Sequence, residues 1–228
     1  MPKSTKAIKV SDGNKAWNKK AKPGAYSIET IPIKKTILIV CEGQTEEMYF
    51  KSFPVLTEYR VKTYNTQGQA KLKLVEFTKG IKDSFDIKFD EIWCVFDMDV
   101  KGGEKEFADF DNAITKALQL RYKVAYSNDA FELWFYLHYN YTDSQHLRSF
   151  YYKELGNRFR INYVKDGKKY DFCKKIYGIL MDDENASQEK AIEKARALFE
   201  KQKSLLYHQQ NPNTKVYELV EELNKNLR

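Results

Sequence analysis

Three acidic residues stand where two short apolar runs end. Glu42 follows Thr36-Ile-Leu-Ile-Val-Cys41, and Asp97 and Asp99 follow Glu91-Ile-Trp-Cys-Val-Phe96. Carboxylates at i and i+2 project to one side of extended backbone, roughly 6.6 Å apart at Cα for a rise of about 3.3 Å per residue. Such a pair can share one Mg²⁺, or hold two ions near the roughly 4 Å spacing of two-metal phosphoryl enzymes. Mg²⁺ takes only one or two carboxylates and completes its shell with water and phosphate oxygens, so three acids suffice. Glu42 would be a metal ligand, or a general acid or base near a scissile phosphate. Neither motif contains a basic residue. The ordinary reading is that Asp is favoured where a strand gives way to a turn, and that Glu42 faces solvent at a strand end.

The elements that must position these acids follow from the pattern around them. Runs this short and apolar suit strands buried on both faces of a parallel sheet, and ligands of open α/β sheets bind outside the carboxyl ends of the strands. Gly43-Gln44-Thr45 predicts a tight turn, with Thr45 as N-cap and Glu46 and Glu47 in the first turn of a helix ending near Pro54. Residues 59–66 alternate and predict a second strand nearer an edge. A helix over about 68–85, the strand 91–97, a loop carrying Gly102-Gly103, a helix over about 106–121, a strand 123–127 and a helix over about 129–139 complete the pattern. The order predicts an α/β fold with a mainly parallel sheet and flanking helices, its sheet core over about 36–140. From about 141 to 228 the chain reads as helical with no strand. The best segments there are 186–206 and 214–227, separated by Asn211-Pro212-Asn213.

Charge is unevenly spread. Nine of the 39 basic residues and two of the 32 acidic ones lie in residues 1–35, leaving 30 of each sign beyond. The whole excess of +7 therefore belongs to an N-terminal arm, expected to be flexible, whose Lys15, Lys19, Lys20, Lys22, Lys34 and Lys35 suit a phosphate backbone. A solubilising tail is the other reading. Trp17 and Tyr26 could stack on bases or pin the arm to the core. No apolar stretch approaches the roughly 20 residues of a membrane span, and the lysine-rich start lacks the apolar core of a signal peptide. Cys41 and Cys94 fall inside the two strands and Cys173 stands alone, which predicts neither disulfides nor a thiolate site and places the chain in the cytoplasm.

At this point a resemblance becomes specific. Glu42-Gly43 closing one strand and Asp97-x-Asp99 closing a later one resemble the signature of the Toprim fold. The wider set is similar to the RloB family, found near restriction loci and in phage abortive-infection systems. That set comprises Cys41-Glu-Gly-Gln-Thr-Glu46-Glu-Met-Tyr49-Phe50, Val95-Phe-Asp97-Met-Asp99, the stretch Tyr126-Ser-Asn128-Asp-Ala-Phe131-Glu132-Leu-Trp134-Phe-Tyr-Leu-His138-Tyr, and Asn211-Pro212-Asn-Thr214-Lys-Val216. The family pattern usually reads Ser-Asn-Pro where this chain has Ser127-Asn128-Asp129. The resemblance implies a Toprim-like nuclease-type centre dependent on Mg²⁺ or Mn²⁺, with Glu42, Asp97 and Asp99 as its acids. It also implies action on DNA or RNA in antiphage defence, a role that would allow a partner ATPase or another defence protein. The alternatives are a non-catalytic module binding nucleic acid or a partner, and a structural or toxin-regulating partner.

Further residues in these stretches carry two readings each. Glu46 complements a helix N-terminus or is a second acid of the site. Asn128 or Asp129 caps the helix that follows, and Asp129-x-x-Glu132 outlines a capping box, unless Glu132 points into the acidic cleft. His138 reads as a satisfied, partly buried histidine before a catalytic one. Asn211 and Thr214 read as a loop-to-helix cap, with Thr214 as N-cap. The tyrosines of 136–163 read as packing before base stacking.

Overall fold

The computed structural model describes residues 35–55, 58–63 and 71–227. The chain divides into two units, Met1–Ile33, which lies outside the described residues, and Lys34–Arg228, which holds the sheet. Four strands, β1 (Thr36–Cys41), β2 (Glu58–Thr63), β3 (Glu91–Met98) and β4 (Lys123–Asn128), run parallel in the order β2-β1-β3-β4. Between them lie α1 (Gln44–Lys51), α2 (Lys71–Asp83) and α3 (Glu104–Gln119). The expected α/β fold with a mainly parallel sheet is the observed one, and β2 takes an edge.

Alternate residues of the apolar strands feed opposite faces. Ile37, Ile39, Cys41, Trp93, Val95 and Ala125 join one core, against Tyr49 and Phe50 of α1. Leu38, Val40, Cys94, Phe96, Val124 and Tyr126 join the other, against α2 and α3. Polar side chains thus have room only where the strands end. The three cysteines are free and buried.

After β4 come α4 (Glu132–Leu137), α5 (Arg148–Phe159), α6 (Tyr163–Asp166), α7 (Tyr170–Cys173), α8 (Ile176–Asp182), α9 (Gln188–Gln202) and α10 (Val216–Asn224). The aromatic helix is shorter than predicted, because residues 129–131 form a turn before it. The C-terminal portion also contains a strand that the sequence did not announce. Asn213–Thr214 form β5, antiparallel to β4 through Ser127↔Thr214 and Asn128↔Asn213. Two residues are too few for a period-two pattern to show. The Asn128–Asp129 and Asn211–Pro212 peptides are cis. Among the described residues no helix is long and apolar enough to cross a membrane.

Candidate functional site

The parallel register brings the predicted acids to one end of the sheet. Cys41 pairs with Val95, so Glu42 leaves β1 beside the end of β3, and its N–H donates to the Val95 carbonyl at 2.9 Å. Asp97 lies on β3 opposite Ser127 of β4. Its backbone N–H donates to the Glu42 carboxylate, and its Oδ2 accepts the Phe131 N–H at 3.3 Å. Asp99, one residue beyond β3, is half exposed and caps the 3-10 turn Val100–Gly102, its Oδ1 accepting the Lys101 N–H at 3.1 Å.

Two of the ambiguous acids join this end. Gly43, extended at φ −128°, is the N-cap of α1, and a Cβ there would meet the Glu46 carboxylate at 2.6 Å. Thr45, the expected cap, instead sits inside the helix with its hydroxyl 3.6 Å from Cys173 Sγ. Glu46 is thus buried under the turn that Gly43 makes, close enough to Asp97 and Glu132 to feel their charge. Glu132, fully buried at the start of α4, forms no capping box. Its Oε1 pairs with Lys168 Nζ at 2.5 Å and lies 3.5 Å from the Tyr163 hydroxyl. No side chain caps α4, because Asp129 is occupied elsewhere.

Asp129 ties the far side together. Only 1% exposed, it accepts the Val100 N–H on Oδ1 at 3.0 Å and the Arg148 N–H on Oδ2 at 2.7 Å. The Arg148 guanidinium reaches Asp129 Oδ1 at 3.3 Å, the Asp129 and Met98 carbonyls at 3.2 and 3.4 Å, and Asp99 Oδ1 at 3.8 Å. One carboxylate therefore fixes the loop carrying Asp99 and the start of the helix carrying Arg148. Asn128 is buried and donates to the His208 carbonyl at 3.1 Å, so it supports the strand end. His138 does not join the acids. It is buried edge-on against Trp134, with Nδ1 2.9 Å from the Trp134 carbonyl, and burial lowers its pKa to about 4.

Sequence reasoning missed the cations. Lys71, at the start of α2, sits with Nζ 3.5 Å from Glu42 Oε1 and ion-paired to Glu106 of α3. Lys168, between α6 and α7, faces Glu132 and passes 5.5 Å over the Tyr152 ring. With Arg148 they supply positive charge from two helices and the turn between α6 and α7, a convergence that only the tertiary fold creates. Of the arm lysines, Lys15, Lys19, Lys20, Lys22 and Lys34 lie outside the described residues, as do Trp17 and Tyr26. Lys35 lies at the amino end of β1, away from the acids, paired with Glu91 and Glu222 at 2.5 Å each.

Crowded acids resist ionising together. Burial first, then the Asp97 charge, pushes the Glu42 pKa up to about 7 against the pull of Lys71. Burial pushes Glu46 up to about 8, with Lys168 opposing and Asp97 and Glu132 adding. Asp97 is also raised by burial, against Arg148 and Lys168. Among the described residues no three His, Cys, Asp or Glu side chains form a ready-made metal cage. The donor chemistry fits a divalent cation all the same. Glu42 and Asp97 offer hard oxygens at the ends of adjacent strands, where burial raises the pKa of both. A cavity of about 1000 Å³ lies elsewhere, along the outer edge of β4 between Trp93, Leu118, Tyr207 and Lys225. It includes none of these acids.

A family model described as RloB-like protein matches residues 37–223. No curated protein and no solved structure matches at a significant level.

Proposed function

This chain belongs to the RloB-like protein family, and from that premise we propose that it is a Mg²⁺- or Mn²⁺-dependent phosphodiesterase of nucleic acid, built around Glu42, Asp97 and Asp99. The observation that carries the reading is the pairing of Glu42 with Asp97 at the ends of adjacent parallel strands, both held above the usual carboxylate range. Glu42 and Asp97 would hold the ion, with Asp99 next to it on the half-exposed side of the cleft. When bound, the ion would neutralise charge developing on a phosphate and lower the pKa of its water.

The chain's own residues divide the remaining work. Arg148, held by Asp129 and Met98, faces Asp99 and offers a planar donor set to a phosphate. Glu46 with a pKa of about 8 carries a proton near neutrality and suits a general acid. Lys168 and Tyr152 border that side. The resemblance to Toprim proteins supports the same reading, and the antiphage setting rests on the family resemblance alone.

The test is incubation of purified protein with single- and double-stranded DNA and RNA plus Mg²⁺ or Mn²⁺. Cleavage should appear, and Asp97→Ala and Asp99→Ala should remove at least about 100-fold of it. Cleavage by the variants at the wild-type rate, or none by either, ends the proposal. One observation favours a second reading, a module that binds nucleic acid without cutting it. Each predicted acid already has a basic group nearby, Lys71 by Glu42 and Arg148 by Asp97 and Asp99. Binding indifferent to chelator, without cleavage, would select it.

A further inference from the structure

We propose that Lys71 is the resident counter-cation of the acidic cleft, and that a divalent ion reaches Glu42 and Asp97 by displacing its ammonium group. The inference rests on the metal reading above and adds the residue that governs loading. Lys71 opens α2, where its backbone N–H is bound by Asp109, so the root of the side chain is fixed. The side chain is only 8% exposed. Its Nζ lies 3.5 Å from Glu42 Oε1 and ion-paired with Glu106 Oε1, the oxygen that also accepts the Asp99 N–H at 3.4 Å. One ammonium thus links an acid of β1 to an acid of α3, and through it to the loop after β3.

A charge so shielded from water persists only beside opposite charge, and here the carboxylates provide it. A divalent ion on Glu42 would face that ammonium at close range, with little water between to screen the repulsion. The lysine stem is long and unbranched, so its head can leave Glu42 and turn out toward water while α2 stays in place. Loading the site is therefore an exchange of cations, and Lys71 sets its affinity. It acts as a positioning residue, keeping Glu42 and Asp97 compact while no metal is bound.

The experiment measures Mn²⁺ binding to the full chain by calorimetry and electron paramagnetic resonance, for wild type and Lys71→Met, with folding checked by circular dichroism. The folded variant should bind Mn²⁺ at least about tenfold more tightly, because the competing charge is gone. A residue that merely held the fold would not tighten metal binding when removed. Equal or weaker binding by the folded variant overturns the proposal. A second measurement needs no variant. Lysine acetylation of the wild-type protein, read by mass spectrometry, should rise severalfold at Lys71 when Mg²⁺ saturates the site. Unchanged modification at a saturation verified by calorimetry overturns it too. Absence of any Mn²⁺ or Mg²⁺ binding by both proteins removes the metal reading itself, and this proposal with it. Binding that ignores Lys71 removes this proposal alone.

Discussion

Replacing Asp129 by alanine tests the scaffold beneath the site without invoking metal. The side chain is 1% exposed and serves two backbone N–H groups, of Val100 and Arg148, together with the Arg148 guanidinium. Alanine leaves two amide donors without their acceptor and an arginine without its nearest carboxylate. A buried donor stripped of its partner costs about 1–3 kcal/mol, and a broken buried ion pair about 3–5 kcal/mol. The Arg148 side chain is 25% exposed, so water recovers part of that loss, and about 3 kcal/mol is the expected net destabilisation. For a domain of this size that lowers Tm by roughly 6–12 °C. Asparagine keeps the shape but offers one acceptor where two are needed, so Asp129→Asn should lose about 1–2 kcal/mol. Chemical denaturation followed by tryptophan fluorescence gives both values. Arg148→Met in the Asp129→Ala background should cost much less than in wild type, since the two share one network. An Asp129→Ala protein within about 0.5 kcal/mol of wild type, or strict additivity with Arg148→Met, would refute the argument.

Two pH effects of opposite sign should bracket maximum stability. Glu42 and Glu46, at about 7 and about 8 when folded, bind more protons in the folded chain than in the unfolded one. Metal-free stability therefore falls as pH rises from about 4.5 through about 8, and Glu46→Gln should be neutral near pH 5 yet gain about 1–3 kcal/mol near pH 9. Melting across that range decides it, a variant parallel to wild type being the adverse result. His138, lowered to about 4, works in reverse, so stability falls as pH drops from about 6.5 through about 4. Its imidazole nitrogens should report a neutral ring at about pH 5.5 by NMR, and an imidazolium signal there would contradict its burial.

What could be read in the sequence was what a short stretch encodes alone. The runs ending at Cys41 and Phe96 announced buried parallel strands, because no half-exposed strand tolerates so few polar residues. Their ends located Glu42 and Asp97, and the ambiguous Glu46 and Glu132 fall at the same end of the sheet. Helix starts were less legible. Thr45 has good capping chemistry, yet Gly43 takes the position because the buried Glu46 carboxylate leaves no room for a Cβ. Asp129 looked like a cap and is a tertiary anchor, its partners 29 and 19 residues away in sequence. The arm's excess charge drew attention to lysines outside the described residues. Those facing the acids, Lys71 and Lys168, came from a part whose charges cancel in the count. No local pattern marks a lysine that the fold turns inward.

The segment from β5 through α10 has a consequence for the order of assembly. Thr214 pairs with Ser127 across 87 positions at the carboxyl end of the sheet, while Glu222 of α10 grips Lys35 at the opposite end. Neither clasp can form until those late residues have left the ribosome, which adds roughly 5–20 residues each second. By then the four parallel strands have been available for pairing for seconds. A nascent chain therefore carries its acids on a sheet fastened at neither end, and the strand bearing Asn128 gains its last neighbour only once Asn213 and Thr214 have emerged.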